Sequence, residues 1–262
     1  MRFSGARSAI THKQSASDRA GVSVKYKAPE YLESVTDPVE GELALRGKFP
    51  QKLIVGIDEV GRGPLAGPVV ACAAVLNDPQ RTHGLNDSKK LTRAKREAMF
   101  DAVKEDCLCY AIASASPAEI DEMNILAADF LAMRRALSAL GFPGLKITQP
   151  ELPVELKSSF PAGADILCVV DGNLKITGVP ENQQLAVIKG DGRVACVSAA
   201  SILAKVYRDR LMDKYAETYP GYGFEVNAGY GTAKHLEAIR KLGFTPVHRK
   251  SFHPKALQTE LL

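Results

Sequence analysis

One stretch near the start of the chain restricts the possible folds more than any other. Residues 53–57 are apolar, two adjacent carboxylates follow at Asp58 and Glu59, and a glycine-rich turn with one arginine comes next. The chain is apolar again over residues 69–76. This order predicts a strand with an acidic end, a tight turn and a second strand. Twist at the strand end can let both carboxylates reach one ion, although a hairpin with an acidic, solvated end fits the same residues.

The glycines of this turn match neither of the common phosphate-binding loops. Gly61, Gly63 and Gly67 are spaced G-x-G-x-x-x-G, whereas a dinucleotide-binding turn needs G-x-G-x-x-G at the start of a helix. Two prolines, Pro64 and Pro68, also disfavour a helix there. A Walker loop is excluded because Gly67 is followed by proline instead of lysine and a hydroxyl residue. Both kinds of nucleotide-binding enzyme are therefore disfavoured.

Composition indicates a globular protein and leaves several classes of partner open. The 262 residues are 45% hydrophobic and 24% charged, with a net charge of +4, which permits a polyanionic partner without requiring one. No apolar run reaches membrane length and no signal-peptide core is visible, so we predict no membrane partner. Five cysteines lie mostly in apolar stretches without a C-x-x-C pair. This usage predicts buried, reduced thiols in a cytoplasmic protein.

The chain divides into three parts. Residues 1–50 are predicted to be an N-terminal extension, basic and disordered at its start, although a mitochondrial transit peptide has a similar composition. Residues 51–220 form the main domain, with a proline-rich surface excursion at 141–164, and residues 221–262 form a C-terminal helical region. The predicted strands cover residues 53–59, 68–76, 107–115, 166–170 and 185–188. The predicted helices cover residues 92–104, 117–140 with a break at Asn124, 198–215 and the segment after Thr232.

Acidic residues follow three of the predicted strands. Asp58 and Glu59 end the first strand, and Asp171 and Asp191 follow the last two. Ligands gather outside the carboxyl ends of strands, so these four carboxylates can meet at one place. Each pair about 4 Å apart would repel by roughly 4 kcal/mol at an effective dielectric of about 20. Asp209, on a predicted helix between two arginines, fits an ion pair, but the pattern alone does not exclude it as a rival to Asp191.

Divalent cations would remove the repulsion between such carboxylates. Ligation by oxygen alone favours Mg²⁺ or Mn²⁺ over zinc. Two such ions can activate a water molecule and stabilise the leaving oxygen of a phosphodiester. The pattern is therefore typical of a metal-dependent phosphodiester hydrolase.

Several other side chains are candidate contacts for a nucleic acid. The cations that could bind phosphate groups are Arg62, Lys89, Lys90, Arg249 and Lys250. Taken alone, each of them is more often a solvated surface charge. Tyr230 lies in a glycine-rich loop, where its ring could stack on a sugar or base or pack within the loop.

Six short motifs occur in order along the chain. They are Asp58-Glu59-Val60-Gly61-Arg62-Gly63, Asp87-Ser88-Lys89-Lys90-Leu91, Val170-Asp171-Gly172, Lys189-Gly190-Asp191, Ser198-Ala199-Ala200-Ser201-Ile202-Leu203-Ala204-Lys205-Val206 and Gly229-Tyr230-Gly231-Thr232. Any one of them alone is weak evidence. Together they resemble the motifs of the bacterial ribonuclease HII (type 2 RNase H) family, over residues 52–256.

This resemblance implies both a fold and an activity. The implied fold is α/β and RNase H-like, a five-stranded mixed sheet flanked by helices, with a C-terminal helical extension that completes the substrate site. The implied activity is that of a metal-dependent endoribonuclease, using Mg²⁺ or Mn²⁺ as two ions. It would hydrolyse the RNA strand of RNA–DNA hybrids and incise 5′ to single ribonucleotides embedded in duplex DNA, leaving 3′-hydroxyl and 5′-phosphate ends.

The matching motifs also imply roles for individual residues. The catalytic and metal-binding carboxylates are implied to be Asp58, Glu59, Asp171 and Asp191, which selects Asp191 over Asp209. The residues implied to bind substrate are Gly61, Arg62, Gly63, Lys89, Lys90 and Tyr230. Within this set, the Gly-Arg-Gly turn and the tyrosine are implied to sense the ribose 2′-hydroxyl, the group that distinguishes RNA from DNA.

The chain departs from the family pattern at three places. Asn227-Ala228 replaces a common His-Lys pair, the excursion at 141–164 is long, and the basic N-terminal arm is extra.

Two other functions stay open: a DNA-directed nuclease or resolvase with the same fold, and a non-catalytic nucleic-acid-binding module. We predict a monomer. The tail after Ala256 is a weak hint of a sliding-clamp partner, and a frayed terminus fits it better.

Overall fold

The computed structural model describes residues 29–82, 92–145, 147 and 154–252. Within them, helices cover both faces of a mixed β-sheet. The strands are β1 (Lys52–Val60), β2 (Val69–Leu76), β3 (Cys107–Ala115), β4 (Glu155–Lys157), β5 (Asp165–Asp171) and β6 (Gln184–Val187). The α-helices are α1 (Glu30–Glu33), α2 (Pro38–Lys48), α3 (Arg93–Asp106), α4 (Pro117–Met123), α5 (Ile125–Ala139), α6 (Ala195–Thr218), α7 (Phe224–Asn227) and α8 (Ala233–Leu242).

The strands lie side by side in the order β4-β3-β2-β1-β5-β6. The first four are antiparallel neighbours, whereas β5 runs parallel to β1 and β6 parallel to β5. The predicted mixed sheet is confirmed, but it has six strands instead of the five expected. The additional strand is β4, which lies within the excursion at 141–164 and pairs with Tyr110–Ile112. Its three residues are too few to show the alternation that identifies a strand in a sequence.

Burial of both sheet faces creates two cores. Alternate residues of β1 face opposite ways: Ile54 packs with α6 on one side, and Val55 and Ile57 pack with α5 on the other. Gly56 allows α6 to touch the sheet, because a Cβ there would lie 2.1 Å from the carbonyl carbon of Cys196. The first turn of α6 is therefore fixed directly against the strand that carries the two acids.

The helix boundaries follow the local signals of the sequence. Ser116 and Glu119 form a capping box at the start of α4. Asn124 has a positive φ of 76°, and its side chain accepts from the first amides of α5. The predicted break at Asn124 is therefore confirmed.

The helices α1 and α2 have no counterpart in the sequence predictions. Leu32 and Leu45 are fully buried against the α6 side of the sheet. The packed core thus includes residues before position 51, where the predicted domain boundary lies. The predicted basic arm, residues 1–27, and the C-terminal tail that gave the weak hint of a clamp partner lie outside the described residues.

Two compositional predictions concern cysteines and membrane segments. All five cysteines are buried and carry free thiols, as predicted. Burial raises the pKa of the Cys107 thiol to about 12. Among the helices of the described residues, none combines the length and apolar character needed to cross a bilayer.

Candidate active site

Asp58, Glu59 and Asp171 lie at the carboxyl ends of two neighbouring parallel strands. Ile57 of β1 pairs with Val170 of β5, so the residues that follow, Asp58 and Asp171, are neighbours across the ladder. Asp58 is only 2% exposed, and one of its carboxylate oxygens accepts from the Glu59 amide at 2.8 Å. The strand pairing alone therefore brings three of the four predicted carboxylates together.

The fourth carboxylate, Asp191, comes from a short 3₁₀ turn after β6. The amide of Gly190 donates to Asp171 Oδ1 at 2.7 Å, which ties this turn to the end of β5. The hydroxyl of Ser198, in the first turn of α6, donates to the carbonyl oxygen of Asp191. Asp191 is buried, so these contacts fix the turn beside the strand ends.

The four carboxylates interact electrostatically. Burial raises the pKa of Asp58 well above its usual range, and the charges of Glu59, Asp171 and Asp191 raise it further. A hydrogen bond from Ser201 opposes these effects. A buried acid surrounded by three like charges is stable as an anion only with a compensating cation.

This set of donors suits a hard divalent cation such as Mg²⁺ or Mn²⁺, because all of its ligand atoms are carboxylate oxygens. Across the described residues, no three His, Cys, Asp or Glu side chains already enclose a point where one ion could sit. Ligation would therefore require the carboxylates to turn towards one another. The residues that would hold the ions are Asp58, Glu59, Asp171 and Asp191.

The Gly-Arg-Gly turn follows Glu59 and is held by a buried arginine from the end of the chain. Arg249 donates through its guanidinium to the carbonyl oxygens of Gly61, Arg62 (3.0 Å) and Gly67 (2.9 Å). It is 1% exposed, so Arg249 is neither the candidate phosphate contact nor the solvated surface charge that the sequence suggested. Desolvation, and then the charge of Arg208, lower the pKa of Arg249 to about 9. It nevertheless stays charged at neutral pH.

A second buried arginine, Arg208 of α6, holds the other side of the same loop. Its guanidinium donates to the carbonyl oxygens of Pro68 (3.1 Å), Ala66 (3.1 Å) and Ala228 (3.0 Å). Gly61 has a φ of 97°, and a Cβ there would lie 2.3 Å from Arg208 Nε. The arginine can approach this closely only because residue 61 is glycine.

Tyr230 lies against the Gly-Arg-Gly turn. A Cβ built on Gly63 would lie 3.5 Å from Cε1 of the Tyr230 ring. The tyrosine is 46% exposed, and the amide of Leu65 donates to the carbonyl of Gly229 at 2.7 Å. The structure therefore brings together the turn and the aromatic ring that the sequence places far apart.

The sequence analysis also named two candidate lysines and one rival acid. Lys89 and Lys90 lie outside the described residues. Asp209 forms ion pairs with Lys205 at 2.6 Å and with Arg96 at 3.5 Å. Asp209 thus has cationic partners of its own on α3 and α6, and Asp191 is the acid beside the strand ends.

Comparison with known proteins identifies the family of this chain. The sequence model of that family, described as Ribonuclease HII, matches residues 55–255. The chain belongs to the ribonuclease HII family. The ribonuclease HII of Delftia acidovorans is 47% identical over 84% of this chain and 83% of its own length. That of Marinomonas sp. is 50% identical over 77% of this chain and 90% of its own. The predicted family and the predicted enzyme class, a ribonuclease, are confirmed.

Solved structures of ribonucleases H share the fold. Ribonuclease H2 from Pyrococcus horikoshii covers 76% of this chain and 93% of its own, with a TM-score of 0.55 at 27% identity. RNase HII from the PCNA complex of Archaeoglobus fulgidus covers 78% and 96%, with a TM-score of 0.56 at 23% identity. Bst-RNase HIII in complex with Mn²⁺ covers 77% and 67%, with a TM-score of 0.54 at 20% identity. The last two establish likeness of fold alone.

This ribonuclease HII family member departs from the common His-Lys pair at Asn227 and Ala228. The Asn227 side chain donates to the carbonyl of Tyr222 at 2.7 Å and accepts from the amide of Gly229 at 2.7 Å. Ala228 adopts a left-handed conformation with a φ of 48°. These two residues thus shape the loop that leads to Tyr230, and they offer no cation to a phosphate.

A fifth acid at the site, Asp129, was missed by the sequence analysis. It lies on α5, is 1% exposed, and faces Arg62 Nε at 3.6 Å, while Arg62 Nη1 faces Glu59 at 3.5 Å. Burial, and then the charge of Glu59, raise the pKa of Asp129, and Arg62 lowers it. The available signal was an acid among the apolar residues of an otherwise buried helix face. Asp129 thus orients the one arginine of the Gly-Arg-Gly turn.

Proposed function

We propose that this family member is a divalent-metal-dependent endonuclease with two kinds of substrate. It hydrolyses the RNA strand of RNA–DNA hybrids, and it incises 5′ to single ribonucleotides embedded in duplex DNA. Both reactions leave 3′-hydroxyl and 5′-phosphate ends. The observation that carries the proposal is the buried Asp58, which lies among three further carboxylates and just before a turn that Tyr230 contacts.

In this proposal, the four carboxylates hold two ions, Mg²⁺ or Mn²⁺. Such ions would activate water and neutralise the charge that develops on the leaving oxygen. The rigid ends of β1 and β5 set the positions of Asp58 and Asp171, and Ser201 orients Asp58 through a hydrogen bond. The protein thereby fixes the place on the substrate backbone at which hydrolysis occurs.

Recognition of the sugar is assigned to the Gly-Arg-Gly turn and Tyr230. Glycines at positions 61 and 63 let backbone groups approach a ribose where a larger side chain would collide. The half-exposed ring of Tyr230 lies beside Gly63, and an aromatic ring can stack on a sugar or base. A backbone contact to the 2′-hydroxyl is the feature by which a protein can distinguish RNA from DNA at one position.

The experiment that tests this function is a cleavage map. The substrates are a labelled DNA duplex with one ribonucleotide, an all-DNA duplex and an RNA–DNA hybrid, each with Mg²⁺, Mn²⁺ or EDTA. We expect a metal-dependent nick immediately 5′ to the ribonucleotide, cleavage of the hybrid, and no cleavage of all-DNA. Cleavage of all-DNA would support the DNA-directed nuclease instead, and binding without any cleavage would support the non-catalytic module.

Tyr230→Ala is expected to weaken incision at single ribonucleotides more than cleavage of long hybrids. An isolated ribonucleotide offers one sugar to sense, whereas a hybrid offers many alternative registers. We expect a roughly ten- to hundredfold loss on the single-ribonucleotide duplex, from lost stacking, measured as kcat/KM on both substrates. Tyr230→Phe should retain most of the activity. Val226→Ala, at an 85% exposed position of α7, is the matched control. Equal losses on both substrates would contradict the sensing role.

A further inference from the structure

Two buried histidines connect the Tyr230 loop to the C-terminal segment. His235 of α8 and His248 are 0% and 1% exposed, and their Nε2 atoms are 3.1 Å apart. At one end, Nδ1 of His235 lies 2.9 Å from the carbonyl oxygen of Tyr230. At the other end, Nδ1 of His248 lies 2.9 Å from the amide nitrogen of Thr245 and 2.8 Å from its hydroxyl oxygen. The four residues form one continuous line of hydrogen bonds.

The two backbone groups at the ends determine where each proton lies. The Thr245 amide can only donate, and the Thr245 hydroxyl can donate as well. With the amide bond made, Nδ1 of His248 accepts and the His248 proton is on Nε2. That Nε2–H donates to Nε2 of His235, so the His235 proton is on Nδ1 and is donated to the Tyr230 carbonyl. The line is complete only when both imidazoles are neutral and hold opposite tautomers.

An additional proton on either ring would break this line. A protonated His248 would direct its Nδ1–H at the Thr245 amide and would leave only the Thr245 hydroxyl oxygen to accept it. A protonated His235 would direct its Nε2–H at the Nε2–H of His248. The surroundings also oppose the charge: burial lowers the pKa of His235, and burial and then His235 lower that of His248 to about 4.

Within the described part of the chain, no carboxylate forms a hydrogen bond with either imidazole. The rings packed against the pair are those of Tyr222, Phe224 and Phe244. Two buried arginines lie close to the pair, and the charge of Asp121 acts on one of them, Arg249. Arg249 follows His248 directly, and Arg208 donates to Ala66, the residue that bridges to His248. Neutral imidazoles are therefore the stable state of the pair.

The line also joins the two halves of the proposed sugar-sensing site. The His248 backbone forms an antiparallel bridge with Ala66, in the loop that begins with the Gly-Arg-Gly turn. The next amide, that of Arg249, donates to the Leu65 carbonyl at 2.8 Å. The His248 side chain reaches Tyr230 through His235. The pair thus couples the position of the Tyr230 backbone to that of the turn.

We propose that His235 and His248 are positioning residues for Tyr230, holding its loop at the distance from the Gly-Arg-Gly turn that ribose sensing requires. This inference rests on the proposed function, because it names the residues that set the specificity of that site. Neither histidine touches substrate. Both act through the Tyr230 carbonyl.

The first test is NMR of the wild-type protein with ¹⁵N-labelled histidine. Of the five histidines in the chain, we expect His248 to be protonated at Nε2 and His235 at Nδ1. A scalar coupling across the hydrogen bond should connect their two Nε2 nitrogens. Neither set of signals should titrate between about pH 7 and pH 5, although an ordinary histidine titrates near 6.5. Identical tautomers, or titration near the ordinary value, would overturn the proposal without reference to catalysis.

The second test is a double-mutant cycle between His235→Phe and Tyr230→Ala. His235→Phe keeps a ring of similar size and removes the hydrogen bond to the loop. We expect His235→Phe to lower the ratio of single-ribonucleotide incision to hybrid cleavage by roughly five- to tenfold. In a protein that already carries Tyr230→Ala, His235→Phe should not change this ratio further. Ile239→Ala, one turn further along α8 and also buried, controls for lost stability and should leave the ratio unchanged.

The outcomes of the cycle separate the two proposals. The positioning role would be overturned if His235→Phe lost equal activity on both substrates, or if the effects of the two substitutions were additive. In either case, hybrid cleavage by the wild type would still support the proposed function. A wild-type protein that cuts neither substrate would overturn the proposed function and the positioning role together. Folding of each variant is checked by circular dichroism before the ratios are compared.

Discussion

Asp58→Asn is expected to abolish cleavage of both RNA–DNA hybrid and single-ribonucleotide substrates. Asp58 lies at the centre of the four carboxylates, and each of the other three raises its pKa. The amide keeps the shape of the side chain and removes the charge that would hold a cation. We expect kcat/KM to fall by at least about three orders of magnitude, equivalent to ~4 kcal/mol of transition-state stabilisation.

The same variant should be at least as stable as the wild type when EDTA is present. The pKa of Asp58 is raised in the folded protein, so the folded state holds this proton more tightly than the unfolded state does. Between the ordinary Asp pKa and the raised value, stability falls as pH rises, by up to about 1.4 kcal/mol per pH unit. Asparagine does not titrate, so this contribution to the pH dependence should disappear from the variant.

Denaturant unfolding between pH 4 and 8, with and without Mg²⁺ or Mn²⁺, measures both effects. The wild type should gain about 2.7 kcal/mol at a hundredfold excess of metal over its dissociation constant, and Asp58→Asn should gain much less. Asp209→Asn is the matched control, because Asp209 pairs with Lys205 and Arg96. It should lose stability and keep its cleavage activity. Near-normal turnover by Asp58→Asn would refute the assignment of this acid.

Much of the site was predictable because its parts are local in the sequence. The ends of β1 and β5 are marked by apolar runs followed by acids, and the carboxyl ends of neighbouring parallel strands lie together. The helix break at Asn124 follows from a residue that tolerates positive φ and caps the next helix. These signals need only a few consecutive residues.

What the sequence did not reveal depends on contacts between distant residues. Arg249 looks like a phosphate contact in the sequence, and only the fold shows its guanidinium enclosed by three carbonyl oxygens of a loop more than 180 residues away. The choice of Asp191 over Asp209 likewise needed the family pattern. The structure supplies its physical reason, since Arg96 and Lys205 pair with Asp209 and Gly190 ties the Asp191 turn to Asp171.

The most important contact that the sequence analysis did not identify is made by the buried Glu42 of α2. Substitution of Glu42 also has the largest expected effect on stability. Its Oε1 accepts from Arg46 Nη2 at 2.7 Å and Nε at 3.1 Å. Its Oε2 accepts from the amide of Cys196 at 2.6 Å. That amide is in the first turn of α6, whose N-cap residue, Val194, provides no side-chain cap. Glu42 therefore caps the helix that carries Ser198 and Ser201 to the carboxylates, although it precedes the part of the chain that matches the family.

Glu42→Ala is expected to lower the free energy of unfolding by about 3 kcal/mol, because it removes the fully buried carboxylate that pairs with the partly exposed Arg46 and leaves the Cys196 amide without an acceptor. For a chain of this size the melting temperature should fall by roughly 6–12 °C. Glu42→Gln should lose less, since its amide oxygen can still accept from Cys196. Glu40→Ala, at an exposed position on the same helix, should change stability by no more than about 0.5 kcal/mol. If Glu42→Ala were as stable as Glu40→Ala, α6 would not need its cap from α2.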